Sequence, residues 1–130
     1  MIKISTSLWQ AYSETIFYLN VPIYYTKYVI VTACNPFSIR GSEHDNRNRN
    51  TKLLKRLEGE NFVSLFAGDR KKQWLEESFA VEISLQKGLN LARDFEQNAI
   101  YYVENDELWL LSVDENREYL GKMSQKLDKG

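Results

Sequence analysis

At 130 residues, 43% apolar and 27% charged, the chain is sized for one domain with its own buried core, which excludes a disordered or low-complexity polypeptide. A formal net charge of −1 excludes a global drive toward nucleic acid or an anionic membrane, and the single cysteine, Cys34, excludes an intramolecular disulfide and a cysteine-built zinc site. No secretory leader is legible and no apolar run approaches the roughly 18 residues of a membrane span, so the expected compartment is the cytoplasm.

Ser5 or Thr6 caps a short helix over residues 5–12. Residues 15–20 (TIFYLN) read as a strand, broken by the proline of "VP" at 21–22. Residues 28–34 (YVIVTAC) are apolar almost throughout, as an interior strand covered on both faces would be. Ser42, with Asp45 three residues on, marks the start of a helix from Glu43 to Glu58, and Gly59 stops it. Residues 62–67 (FVSLFA) form a strand, 68–77 (GDRKKQWLEE) a polar loop, and 79–84 (FAVEIS) another strand with Glu82 toward water. Ser84 caps a helix from Leu85 to about Glu96, whose apolar positions are Leu85, Leu91, Ala92 and Phe95. Residues 99–104 and 107–113 make a hairpin turned at Asn105-Asp106. The charged segment 114–130 reads as a short helix or a tail beyond a domain of residues 1–113.

From the second strand onward the order is β-α-β-β-α-β. This predicts an α+β fold, a ferredoxin-like sandwich with helices on one face of an antiparallel sheet and extra strands at both edges.

The helix over 43–58 carries a conflict. At about 100° per residue, Leu53, Leu54 and Leu57 define its core-facing stripe, yet Glu43, Asn46 and Asn50 fall on the same stripe. An unpartnered buried amide costs about 1–3 kcal/mol, so these groups need partners. The predicted topology gathers them at one end of the sheet with Asn35, the 69–78 loop and Gln97-Asn98. Residues 38–72 hold nine Lys/Arg against five Asp/Glu, while 73–130 hold six against twelve. Arg40, Arg47, Arg70, Lys71 and Lys72 surround the gathered end, and free N–H groups at the helix start add positive potential.

The first functional reading is therefore a binding domain for a small anionic, nucleotide-like or carboxylated ligand. Asn35, Asn46, Asn50 and Gln97 would orient it, Arg47 and Arg70 would meet its charge, and Trp74 would cover it. The plainer reading of the asparagines is a polar plug bonding the backbone of the loop after Pro36. A second reading is metal-assisted phosphoester hydrolysis with Glu43 and Glu76 as acid/base groups or magnesium ligands, against plain helix capping and solvent exposure. A third is a protein-binding inhibitor or immunity-type module, using the 99–113 hairpin as an edge. Cys34 and His44 invite a thiol–imidazole pairing, but a lone cysteine at a strand end is ordinarily a small buried hydrophobe. Arg49, Lys52, Lys55 and Arg56 spread over an exposed helix face, the ordinary pattern of a solvated helix and not of a nucleic-acid site. No motif names a cofactor, and no metal-ligand spacing is present.

"TACNP" (32–36), Glu43, Asn46 through Asn50 with Leu53-Leu54, "WLEESF" (74–79) and "LARDFEQNAIYYV" (91–103) together resemble a family of small uncharacterised bacterial proteins, a domain of unknown function. The likeness runs roughly from Tyr12 to Val103. The family pattern has proline after the glutamate of the Trp–Glu motif, where this chain has Glu77. The resemblance implies Asn35, Asn46, Asn50, Glu76 and Gln97 as a shared polar set, and implies no activity.

Overall fold

A computed structural model describes residues 4–128. Among them are three α-helices and a seven-stranded antiparallel sheet. In chain order these are α1 (Thr6–Ser13), β1 (Ile16–Leu19), β2 (Lys27–Val31), α2 (Glu43–Arg56), β3 (Phe62–Gly68), β4 (Leu75–Val81), α3 (Leu85–Asp94), β5 (Ala99–Glu104), β6 (Glu107–Ser112) and β7 (Arg117–Lys122). Serine caps start all three helices: Leu8 N donates to Ser5 Oγ, Asp45 N to Ser42 Oγ and Lys87 N to Ser84 Oγ. Past α2 the chain turns at Gly59, whose φ of +86° suits a residue without Cβ. No helix among the described residues is long and apolar enough to cross a membrane.

The sheet order is β1-β3-β4-β2-β5-β6-β7. Central β2 is buried on both faces, as its apolar run requires. Val29 and Val31 join Leu53 of α2, Leu57 just past its end, and Leu91 and Ala92 of α3 in one core. Tyr28 and Ile30 point the other way, into a second core with Phe17, Leu65, Leu108 and Met123. The sheet curls around this second core. Phe17 of β1 forms a parallel bridge with Leu127, and Asp128 N donates to Phe17 O at 2.9 Å. The C-terminal turn thus meets the first strand across the concave side.

Three sequence expectations need correction. Residues 68–77 are not all loop: β4 begins at Leu75, pairing Leu75, Glu76 and Glu77 with Gly68, Ala67 and Phe66. The turn itself is only 69–74, held by Asp69, which accepts Gln73 N at 2.8 Å. Within the charged segment expected as a short helix or a tail, the described residues 114–128 supply β7 and a 3-10 turn at Met123–Lys126. Its charges are tolerated because β7 is an edge strand, and Glu107 across from it accepts from both Tyr119 and Lys122. The 99–113 hairpin is consequently not an edge: β5 pairs with β2, and β7 covers β6.

Candidate functional site: an amide plug and the cavity behind it

Beyond Val31 the chain leaves the sheet, and its backbone groups lose ladder partners. Side chains replace them. Asn50 Oδ1 accepts Ala33 N at 2.9 Å, while its Nδ2 donates to Glu77 O at 3.0 Å and faces Cys34 Sγ at 3.3 Å. Asn46 Oδ1 accepts Asn35 N at 2.8 Å. Asn35 Oδ1 accepts from Asn46 Nδ2 at 3.0 Å and from Gly41 N at 2.8 Å. Gln97 Nε2 donates to Cys34 O at 3.0 Å. Arg49 Nε donates to Ala33 O at 2.6 Å, and the same guanidinium reaches Phe95 O. These bonds hold a strained segment: Asn35, Phe37 and Ser38 have φ of +49°, +53° and +62°. Asparagine enters that region readily, but phenylalanine and serine do so only when their surroundings hold them there.

Asn35 also links this plug to the opposite face of the sheet, because its Nδ2 donates to Glu76 Oε2 at 2.9 Å. Along β4, Glu76 and Ser78 share the side of Ala80, which belongs to the second core. There they line a cavity of about 420 Å³ roofed by α1, with Tyr12, Trp74, Asn98 and Tyr101 among its other walls. Burial pushes the Glu76 carboxyl above its ordinary pKa, against the opposing pull of the Asn35 amide, the Trp74 indole and the Arg40 guanidinium. Arg40 stacks 4.3 Å from the Trp74 ring centroid. Gly68 fixes Trp74 from behind, since a Cβ there would lie 1.9 Å from Trp74 O.

The roof is tied down by aromatic hydroxyls. The Tyr101 hydroxyl lies 2.7 Å from both Tyr12 O and Thr15 Oγ1. The Tyr12 hydroxyl bonds Ser38 Oγ and accepts Asn98 Nδ2 at 3.0 Å. Asn98 is only 6% exposed, yet its Oδ1 has no partner among the described residues. Such an orphan costs about 1–3 kcal/mol.

The predicted site residues thus divide. Trp74, Glu76 and Gln97 line the cavity, and Asn35 touches it through Glu76. Asn46 and Asn50 stand behind, in the plug. Arg47, Arg70 and Glu43 are exposed and line nothing here. Glu43 is a correction to the helical-wheel reading: the first turn of α2 projects past the sheet, where Glu43 and Asp45 serve the helix N-terminus. Glu76 is corrected in the other direction, from a solvated loop residue to a half-buried strand residue. Arg49 does not lie on a solvated face; its side chain is 24% exposed and serves the plug. Burial raises the Cys34 thiol pKa, the opposite of an activated nucleophile, and His44 meets Asn48 on the exposed helix. No group of three or more His, Cys, Asp and Glu is gathered as a metal-ligating set among the described residues. Sequence reasoning passed over Tyr12, Thr32, Ser38, Ser78 and Tyr101 as site residues. Their only signal is their position at strand ends and on one side of α1.

No curated protein matches the chain, and no solved structure does. A family model described as "Protein of unknown function (DUF3293)" matches residues 31–100, from the end of β2 into β5, a span that holds the whole plug together with Trp74, Glu76, Gln97 and Asn98. That match covers more than half of the 130 residues, and the chain belongs to this family of unknown function.

Proposed function

We propose that the protein is a small-ligand-binding domain whose pocket is the cavity beneath α1. One observation carries the reading. In the plug the amides are bonded to protein, whereas the cavity wall holds a half-buried carboxyl and an unpartnered amide oxygen. A volume of about 420 Å³ suits a small molecule. The sequence-based expectation of an anionic or nucleotide-like ligand is not carried into this pocket. The lining includes Glu14, Asp69 and Glu76 but, among the described residues, no Lys, Arg or His. Hydrolysis by Glu43 with Glu76 loses its support as well, because α2 covers one face of the sheet and Glu76 points to the other. The protein-partner reading loses the free edge it relied on.

We also infer that β2-α2-β3-β4-α3-β5 is a ferredoxin-like unit, with β1, β6 and β7 added. Its support is the strand order β3-β4-β2-β5 and the packing of α2 and α3 into one core.

The test is native mass spectrometry of freshly purified protein beside an Ala67→Phe variant. Ala67 pairs with Glu76 and lines the cavity. A small molecule retained by the parent and absent from a folded Ala67→Phe protein is the expected result. Equal retention by both would place the ligand elsewhere and overturn the reading.

A further inference from the structure

Resting on that reading of the cavity, we propose that its ligand is a small organic cation, a primary amine or amidine carried on an apolar body. The inference comes from counting which hydrogen-bonding groups of the wall remain free. Thr32 Oγ1 donates to Glu77 O at 2.7 Å and Ser78 Oγ to Glu76 O at 3.1 Å. Thr15 Oγ1 donates to Ala11 O, and the Tyr101 hydroxyl donates within the protein. Tyr12 and Ser38 share a bond with each other. Asn98 Nδ2 is taken by Tyr12, and Gln97 Nε2 by Cys34 O and Phe95 O. Most of the hydroxyl and amide donors of the wall are therefore committed to the protein.

What is left is acceptor capacity. Asn35 donates to Glu76 Oε2 at 2.9 Å and the Trp74 indole also favours the charged carboxyl, while no other side chain among the described residues bonds it. Asn98 Oδ1 is unpartnered inside the wall. That acceptor belongs to the orientation in which Nδ2 donates to the Tyr12 hydroxyl at 3.0 Å. A carboxylate lining the space, with no Lys, Arg or His beside it among the described residues and an unpartnered amide oxygen buried in the same wall, matches a ligand that brings N–H donors and a positive charge. Arg40, which does not line the cavity, is engaged with the Trp74 ring and donates to Gln73 O at 3.3 Å. Beside Glu14 and Asp69 the wall carries an apolar stretch, with Ile30, Ala67 and Leu110 alongside Trp74 and Tyr101, which selects a hydrocarbon or aromatic body over a polyol.

The experiment titrates the full chain with three probes of matched size: 2-phenylethylamine, 2-phenylethanol and 3-phenylpropionate. Amide chemical shifts of Glu76, Asn98 and Tyr101 report occupancy. The amine should bind about tenfold or more tighter than the alcohol, with the acid weakest, and Glu76→Gln should bring the amine down to the level of the alcohol. If the alcohol or the acid binds as tightly as the amine, the cationic class is overturned while the cavity stands as a pocket. If no probe moves those three residues at saturating concentration, both this inference and the pocket fail.

Discussion

On the face of the sheet covered by α2 and α3, Asn50 makes three contacts, Asn46 two, and Arg49 reaches Ala33 O on the departing chain and Phe95 O at the end of α3. On the concave face, a few residues away, Asn98 keeps an unpartnered oxygen and Glu76 a carboxyl that burial disfavours in its charged form. Both regions are polar and both are buried. The first is polar because a strand ends inside the protein and its backbone must still be bonded. The second has polar groups beyond what the backbone requires. Buried polarity by itself therefore does not mark a binding site; the difference lies in whether the partners are protein.

Four variants sharpen that contrast. Asn50→Leu should be the most damaging, because it leaves Ala33 N–H buried without a partner and takes one of its donors from Glu77 O; a loss on the order of 3 kcal/mol in urea unfolding is expected. Gly68→Ala follows at about 2–3 kcal/mol, since the new methyl meets the Trp74 backbone and must push it away. Its near-ultraviolet circular dichroism should change too, as Trp74 shifts. Arg49→Lys should cost about 1–2 kcal/mol in the same unfolding assay, because a single ammonium cannot reproduce the fork that serves Ala33 O and Phe95 O. A neutral result for Asn50 or Arg49 would undo the distinction between plug and pocket.

Glu76→Gln should have the smallest effect, and of opposite sign. A carboxyl whose pKa is raised on folding contributes stability that is full below its unfolded pKa and is lost as pH rises through the folded one. The glutamine variant retains an acceptor for Asn35 without titrating. It should melt at a higher temperature than the parent at pH 8, with the gap closing as both are taken to pH 4. A gap that widens on acidification would show Glu76 to be a stabilising carboxylate.

Much of this architecture was legible where local chemistry and fold agree. Ser42 and Gly59 bracket α2, the run YVIV marks a two-sided strand, and Asn105-Asp106 turn a hairpin with φ of +52° and +67°. The plug was visible because asparagine on an apolar stripe is locally inconsistent. The cavity was not. Leu75-Glu76-Glu77-Ser78 reads as loop because neither face of that strand segment is apolar: Glu77 accepts from Ser64 on one side while Glu76 and Ser78 line the cavity on the other. Likewise REYLGK carries the charge of an edge strand, which period and propensity do not separate from a solvated helix. Tyr12 and Asn98 meet only through the roofing of α1 over the sheet, a long-range contact without a local trace.

The position of β2 has a kinetic consequence. Val29 is paired with Val81 on one side and Tyr102 on the other, both far downstream in the chain. During synthesis this most apolar strand emerges long before either neighbour exists, and loop closure over such distances slows its pairing. Until β4 and β5 arrive, a Tyr-Val-Ile-Val segment stands as an open template for another chain. Refolding yield should therefore fall steeply with protein concentration, and aggregates formed early should be protected from hydrogen exchange at residues 28–31 first.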